Sequence, residues 1–349
     1  MTVMRLWTCI CMLVLLVVLV VRNDAYKMSD FDVMEVQLGA DLGIDKDKEI
    51  DNETVKKVME GVEVGNKDSI YFFALMKLYG LSLSKEISIA AKNFEKAARL
   101  GHPEATSAYG MMLLHGPGVE KDESLAITFF RRGVQLKDTN SHWMLGKCLM
   151  EGKAVAAPVH KEAYELFQFA AAQNVPQAQH LLGVMYEYGL GHEPTSQDFA
   201  HAAEYYRRAS GQNYMESSYH LALMYAYGRI SPSYKQDFRK ALALLERGAR
   251  AEHAPSVYYM GVFKLHGYGG MPDYERALNW FERAAGMGDF RISEKAAEAA
   301  SELRGLIKRA EDQNAETLQK LADLGDWSSG GEAGSEVDYE DDEEGEEDL

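Results

Sequence analysis

The residues Gly116, Pro117 and Gly118, followed by Lys121, are one place where residue types and spacing could serve chemistry. A glycine-rich loop cradles phosphate when it joins a strand to a helix and its lysine is followed by Ser or Thr. Here Lys121 is followed by Asp122, and an apolar run that is no strand precedes the glycines. The sequence therefore favours a structural turn between two helices over a nucleotide site.

The other reactive side chains form no catalytic or metal-binding pattern. The ten histidines are scattered, with no H-E-x-x-H motif and no cluster with cysteine. His115 and His266 both precede a turn glycine, but they lie about 150 residues apart and cannot share a metal. Cys148 lies in an apolar segment, where a buried inert thiol is favoured over a nucleophile. We expect no enzyme, no metal and no cofactor.

Charge is concentrated at the C-terminus. The formal net charge of the chain is −17. Residues 332–349 contain eleven acids and no Lys or Arg, so most of this negative charge lies there. No basic stripe is visible, which argues against nucleic acid as a partner. The segment 326–349 is predicted to be a disordered acidic tail, because it has too little apolar surface to fold.

The turn glycine recurs along the chain with a small residue six places before it. The glycines are spaced 36, 36, 37, 39 and 39 residues apart, in the pairs Ala74/Gly80, Gly110/Gly116, Gly146/Gly152, Gly183/Gly189, Ala222/Gly228 and Gly261/Gly267. Ten to thirteen residues after each glycine comes Ala, with bulky residues at +3 and +4 and Ala or Gly at +7, as in Ala126, Phe129, Phe130 and Gly133. The first repeat has only one bulky residue, Phe94, because Glu95 stands at +4. Spacings of 3, 4 and 7 are helical. Each unit is therefore predicted to be a helix–turn–helix that must stack on its neighbours to bury its apolar face.

These residues carry a family resemblance. The run from Ala105 to Asp122, with the pattern A-x-x-x-Y-G-x-x-x-x-x-G-x-G-V-x-x-D, resembles the Sel-1-like repeat, a relative of the tetratricopeptide repeat. The stretch ALNWFERAAGMGD at 277–289 resembles it too. The resemblance implies an all-α fold, a right-handed α-solenoid of about six helix–turn–helix repeats with capping helices.

The predicted organisation has five parts. Residues 1–25 are a signal peptide or signal anchor, 26–67 a linker and N-terminal capping helix, 68–290 the six repeats, 291–325 C-terminal capping helices and 326–349 the tail. The apolar run 6–21 is borderline in length between a secretory signal and a membrane span. We favour cleavage after Ala25 over a retained anchor, and membrane contact is expected only with the anchor.

The same resemblance predicts a partner-binding groove. In tetratricopeptide-type arrays the first helix of each unit lines the concave face, so the positions three before and five after each small residue should face a groove. Ten of these twelve positions hold aromatic or His residues: Tyr71, Tyr79, His115, Trp143, His180, Tyr188, Tyr219, Tyr227, Tyr258 and His266. Rings with a polar tip suit a half-wet surface that binds an extended peptide. The alternative is that some rings pack between repeats.

The function implied by the resemblance is that of a scaffold. Lumenal proteins with such repeats resemble the substrate-receiving subunit of the membrane ubiquitin-ligase complex that disposes of misfolded glycoproteins. The sequon at Asn52 and the ending Glu346, Glu347, Asp348 and Leu349 fit a glycosylated protein of the endoplasmic reticulum. That ending resembles a KDEL-type retrieval signal but lacks its Lys or His. The alternative function is a secreted or surface repeat protein that scaffolds an unrelated complex.

Overall fold

The computed structural model describes residues 50–153, 158–191, 196–230 and 235–325, with side chains described to residue 314. Within these ranges the chain forms fourteen α-helices and no strand. It divides into two units between Ala297 and Glu298, and the repeats all lie in the first unit. The predicted all-α fold is confirmed.

The helices follow one another in pairs, with a single helix before and after the pairs. The pairs are α2 and α3, α4 and α5, α6 and α7, α8 and α9, α10 and α11, and α12 and α13. The bounds are α1 Asn52–Glu63, α2 Lys67–Tyr79, α3 Ile87–Arg99, α4 Pro103–His115, α5 Glu123–Gln135, α6 Thr139–Glu151, α7 His160–Ala172, α8 Pro176–Tyr188, α9 Phe199–Gly211, α10 Met215–Ala226, α11 Phe238–Arg250, α12 Ala254–His266, α13 Tyr274–Ala285 and α14 Phe290–Gly325.

The turn glycines end the first helix of each pair in the left-handed conformation that glycine adopts without steric cost. Gly116 has φ 85° and caps α4, and the chain then runs directly to α5. Lys121 pairs with Glu123, with 3.0 Å between Nζ and Oε1. The prediction of a structural turn at residues 116–118 is confirmed.

In four of the first helices the small residue is a glycine that permits close packing against an aromatic ring of the second helix. A Cβ added to Gly110 would lie 2.6 Å from Phe130 Cε1, and one added to Gly146 would lie 2.7 Å from Phe167 Cε1. These bulky residues are fully buried in a row that crosses the repeats: Phe94, Phe130, Phe167, Tyr206, Leu245 and Phe281. The two sequence signatures are therefore the two sides of one helix–helix contact.

Consecutive repeats are joined by a second close contact and by arginine caps. Gly133 of α5 packs directly on the Ser141 side chain at the start of α6. Arg132 donates to the Arg99 carbonyl at the end of the preceding second helix, 3.0 Å away. Arg283 does the same for the Ala249 carbonyl, at 3.1 Å. The next repeat thus supplies a side-chain donor to carbonyls in the last turn of a second helix.

The C-terminal part of the array differs in detail from the prediction of two helical stretches. Residues 290–325 form one continuous helix, α14. No Gly or Pro occurs between residues 306 and 324 to end a helix there. Ala296 at its start is fully buried in the core that includes Ala284. Among the described residues, no helix combines the length and apolar character needed to cross a membrane.

Candidate functional site

The ten predicted groove residues differ in depth. Tyr71, Trp143 and His180 are buried, with 5%, 7% and 8% of their surface exposed. The exposed members are Tyr227 and His266, and the half-buried ones are Tyr79, His115, Tyr188, Tyr219 and Tyr258. Position along the helix fixes the direction of a side chain, but the neighbouring repeat decides how much of it solvent reaches.

The three buried rings contact the chain itself. Tyr71 stacks on His102, with ring centroids 4.1 Å apart. Trp143 Nε1 lies 3.3 Å from Asn140 Oδ1. His180 Nδ1 lies 3.0 Å from the hydroxyl of Ser217 in the next repeat. The Tyr71 contact reaches the N-cap of α4 and the His180 contact reaches α10, as in the alternative of rings that pack between repeats, whereas Trp143 contacts its own helix α6. A role for them in partner binding stays a prediction.

Accessible rings gather in the last three repeats, where five tyrosines form what we call the aromatic face: Tyr188, Tyr219, Tyr227, Tyr258 and Tyr259. Tyr259 lies between two of the others, 5.3 Å from the Tyr219 ring and 5.5 Å from the Tyr258 ring. The Arg229 guanidinium lies 5.3 Å from the centre of the Tyr227 ring. Tyr227 is the most open ring, with 55% of its surface exposed.

Burial keeps two tyrosines of this face, Tyr188 and Tyr219, in the neutral form. Burial raises the pKa of Tyr188 to about 12, and the nearby Glu187 carboxylate adds to this. Burial also holds the pKa of Tyr219 well above its usual value, with Tyr259 contributing. Their hydroxyls therefore remain available both to donate and to accept hydrogen bonds.

Beside the aromatic face lies a set of ionisable groups that we call the junction cluster: Glu187, Glu216, His220, Arg229 and His253. Glu187 is 7% exposed at its side chain and pairs with Arg229, whose Nη1 lies 3.0 Å from Oε1. The Tyr206 hydroxyl donates to the other oxygen of Glu187, 2.8 Å away. Glu216 lies 2.8 Å from Nε2 of His253. Each buried carboxylate thus has a charged or polar partner, as low-dielectric surroundings require.

His220 stands between the two carboxylates. Its Nδ1 lies 3.6 Å from Glu187 Oε2, and its Nε2 lies 3.7 Å from Glu216 Oε1. Burial acts to lower the pKa of His220, but the hydrogen bond and charge of Glu187 and the charge of Glu216 raise it overall. Burial acts to raise the pKa of Glu187, yet His220, Tyr206 and Arg229 hold it below the usual value.

Sequence reasoning missed all five residues of the junction cluster, although one kind of signal was available. Glu187 lies four residues after the small residue of its repeat, where the other repeats hold Leu78, Leu114, Met150, Ala226 and Leu265. An acid in an otherwise apolar column indicates a buried polar site. His220 similarly occupies a place held elsewhere by Phe72, Ala108, Met144, Leu181 and Tyr259.

The described residues offer little for covalent or metal chemistry. Burial raises the pKa of the Cys148 thiol to about 12, which keeps it in the unreactive protonated form. No three His, Cys, Asp or Glu side chains in the described ranges are arranged to hold a metal ion. The aromatic face instead presents tyrosine rings and hydroxyls, which lie next to the hydrogen-bonded junction cluster.

The predicted glycosylation site lies in the first turn of α1. Asn52 is exposed there. The Thr54 hydroxyl of its sequon donates to the carboxylate of Asp51, the N-cap of α1, at 2.7 Å. The predicted signal segment 1–25 and the predicted retrieval signal 346–349 lie outside the described residues.

The fold defines a class, proteins built from stacked pairs of helices. The Sel1 repeat model matches residues 67–102, 103–138, 139–175, 176–214, 216–253 and 254–289. The chain belongs to the Sel1 repeat family. Its repeats begin at α2, α4, α6, α8, α10 and α12, and we number them 1 to 6. Sel1 repeat proteins generally act as scaffolds for protein interactions.

Solved structures agree with this assignment. A Sel1 repeat protein from Oxalobacter formigenes is 27% identical over 66% of this chain and 92% of its own, with a TM-score of 0.58. The protective antigen c5321 of uropathogenic Escherichia coli, which has the same repeat fold, is 18% identical over 82% of this chain and 77% of its own, with a TM-score of 0.50. The second likeness concerns the fold alone. Comparison with curated proteins found no match.

Proposed function

We propose that this chain is a non-enzymatic adaptor that binds an extended segment of a protein partner on the aromatic face of repeats 4 to 6. The observation that carries the proposal is the grouping of five tyrosines on consecutive first helices, with Tyr227 largely open to solvent. Tyr residues are enriched among the anchors of protein interfaces, because they bury large area at a small entropic cost.

The junction cluster supports this function mechanically. Glu187 and Arg229 form an ion pair next to Tyr188 and Tyr227, and Tyr206 fixes the same carboxylate from the second helix of repeat 4. A face held by such interactions loses little conformational freedom when a partner binds. The affinity is then set mainly by the interactions that the tyrosines make with the partner.

We further propose that the adaptor works in the lumen of the endoplasmic reticulum, in quality control and associated degradation. The apolar segment 6–21, the exposed sequon at Asn52 and the terminal residues Glu346 to Leu349 support this location. The partners would be a membrane ubiquitin-ligase complex and misfolded glycoproteins. A secreted or surface scaffold is the alternative, and it would use the same face with a different partner.

Site-specific photo-crosslinking tests the binding face. A photoreactive phenylalanine analogue replaces Tyr227 in the full chain, expressed in cells. The matched control places it at Tyr274, which begins the second helix of repeat 6 and is 54% exposed, against 55% for Tyr227. Discrete crosslinked partners are expected from position 227 and not from position 274. Equal crosslinking from both positions, or crosslinking from 274 alone, would reject the aromatic face.

A further inference from the structure

The junction cluster crosses the boundaries between repeats 4, 5 and 6. Glu187 belongs to α8 of repeat 4, and Glu216 and His220 belong to α10 of repeat 5. His253 precedes α12 as its N-cap, and its Nδ1 lies 2.9 Å from the Ser256 hydroxyl in repeat 6. His220 faces Glu216 within α10 and Glu187 of repeat 4, so a change of its charge acts on the contact between repeats 4 and 5 as well as within one helix.

Every packed element contributes titratable or charged groups around His220. The His220 side chain is 22% exposed. The preceding repeat contributes His180, Glu187 and Tyr188 of α8 and Tyr206 of α9. The remaining groups are Tyr214 before α10, Glu216 and Tyr219 in α10, Tyr227 at its C-cap, Arg229 after it, and His253 and Tyr259 of the next repeat. Burial lowers the pKa of His180 to about 3, so this ring stays neutral at ordinary pH and adds no positive charge beside His220.

Protonation changes what His220 can do. A neutral imidazole has one N–H donor, whereas an imidazolium donates from both ring nitrogens. The two nitrogens face different carboxylates, Glu187 in repeat 4 and Glu216 in repeat 5, at 3.6 and 3.7 Å. Only the protonated ring can attract both at once.

We propose that His220 is a pH-dependent lock between repeats 4 and 5, closed when its ring is protonated between Glu187 and Glu216 and released when the ring loses that proton. The sign follows from linkage. Because the pKa of His220 is raised in the folded chain above the ordinary 6.5, its stabilising contribution is fully present below pH 6.5. That contribution is lost as the pH rises through the folded-state pKa.

The lock adjoins the aromatic face, because the His220 ring lies 5.3 Å from the Tyr219 ring. It is a property of the repeat junction, however, and it does not require the proposed function to be correct. The equivalent residues of the other repeats are not titratable near neutral pH, so the device is confined to this junction.

Direct titration of the histidines tests the lock in the unmodified full chain. Imidazole resonances are followed by NMR against pH, and the His220 signal is assigned by its loss in His220→Gln. We expect its titration midpoint above 6.5, and a lower midpoint in Glu187→Gln. A His220 midpoint at or below 6.5, or one that Glu187→Gln leaves unchanged, would overturn the proposal.

Urea unfolding between pH 5.5 and 8.5 tests the consequence for the array. The wild type should lose stability relative to His220→Gln as the pH rises. His201→Gln is the control, because His201 is also paired with a carboxylate but lies outside the cluster and is 62% exposed. It should keep the wild-type pH dependence. The same pH dependence in His220→Gln and wild type would refute the lock. If His220→Gln does not fold, the histidine signals are assigned by selective labelling, and the Glu187→Gln comparison decides.

Discussion

Buried polar residues mark the places where this chain departs from a uniform repeat. Asp138, the N-cap of α6, is 6% exposed, and its carboxylate accepts from the Ser141 amide at 2.7 Å. The corresponding cap of α4 is His102, whose ring accepts from the Ala105 amide at 3.2 Å. The same local task is thus done by a carboxylate in one repeat and by an imidazole in another, with different consequences for pH.

Asp138 should make stability pH-dependent in the acidic range. Burial raises its pKa from 3.8 to about 6, so the folded chain holds this proton more tightly than the unfolded chain does. Stability should therefore fall as the pH rises from about 4 to 6, by up to about 3 kcal/mol. Asp138→Asn keeps a capping side chain without the buried charge, so it should be more stable than wild type at pH 7, with the difference closing near pH 4.

Urea midpoints at the two pH values check this prediction. The control is Asp122→Asn, at the exposed N-cap of α5. A stability difference between wild type and Asp138→Asn that stays constant from pH 4 to pH 7 would contradict the account of Asp138.

At the scale of helices, the repeat depends on close approach of its two members. Gly146→Ala should cost about 1–3 kcal/mol, because the new methyl group would lie 2.7 Å from the Phe167 ring and overpack the contact. A large residue at Ala163 or Ala202, both fully buried, should cost at least as much for the same reason. Thermal or chemical unfolding of the variants measures these losses.

Gly211→Ala is the matched control for Gly146→Ala. Gly211 also lies in a helix, but an added Cβ would have no neighbour within 4 Å. Its replacement should be neutral or stabilising by up to about 1 kcal/mol, because Ala is the better helix former. Similar losses in the two variants would mean that close packing is not what these glycines provide.

The recurring glycines and small residues predicted the helix pairs and their turns, because at these spacings they indicate a helix end and a close helix–helix contact. The sequence could not predict the depth of the rings. Trp143 and Tyr219 occupy equivalent positions, yet Trp143 is 7% exposed and Tyr219 only half-buried. Depth depends on the side chains that the next repeat supplies, which no single-helix pattern contains. The hydrogen-bond partners of Glu187, Tyr206 and Arg229, lie 19 and 42 residues away in sequence for the same reason.

At the scale of the whole molecule, location follows from segments outside the repeats. If the apolar segment 6–21 directs the chain into the secretory pathway, the chain should carry an endoglycosidase-sensitive glycan that Asn52→Gln abolishes. Deleting residues 346–349 should increase secretion if the signal is cleaved. With a retained anchor, carbonate extraction should leave the protein in the membrane pellet.

Cell fractionation measures where the protein is located, glycosidase treatment detects the glycan, and blotting of the medium measures secretion. A full-length, unglycosylated protein in the cytosol would contradict the lumenal location. That result would not contradict the proposed binding face, because the proposal of that face depends on the repeats alone.

The central claim is that the aromatic face binds a protein partner. The most direct test measures how strongly a double variant of this face binds the crosslinked partner. Tyr188→Ala with Tyr227→Ala removes two rings of the aromatic face, and Tyr274→Ala removes a ring of the same exposure as Tyr227 from a second helix. Binding of the purified partner should weaken at least about tenfold in the double variant, the effect of roughly 1.4 kcal/mol, and should not change in the control. Thermal melts accompany the measurement, and unfolding should remain close to wild type. Unchanged binding by a folded double variant, or equal loss in Tyr274→Ala, would contradict the account.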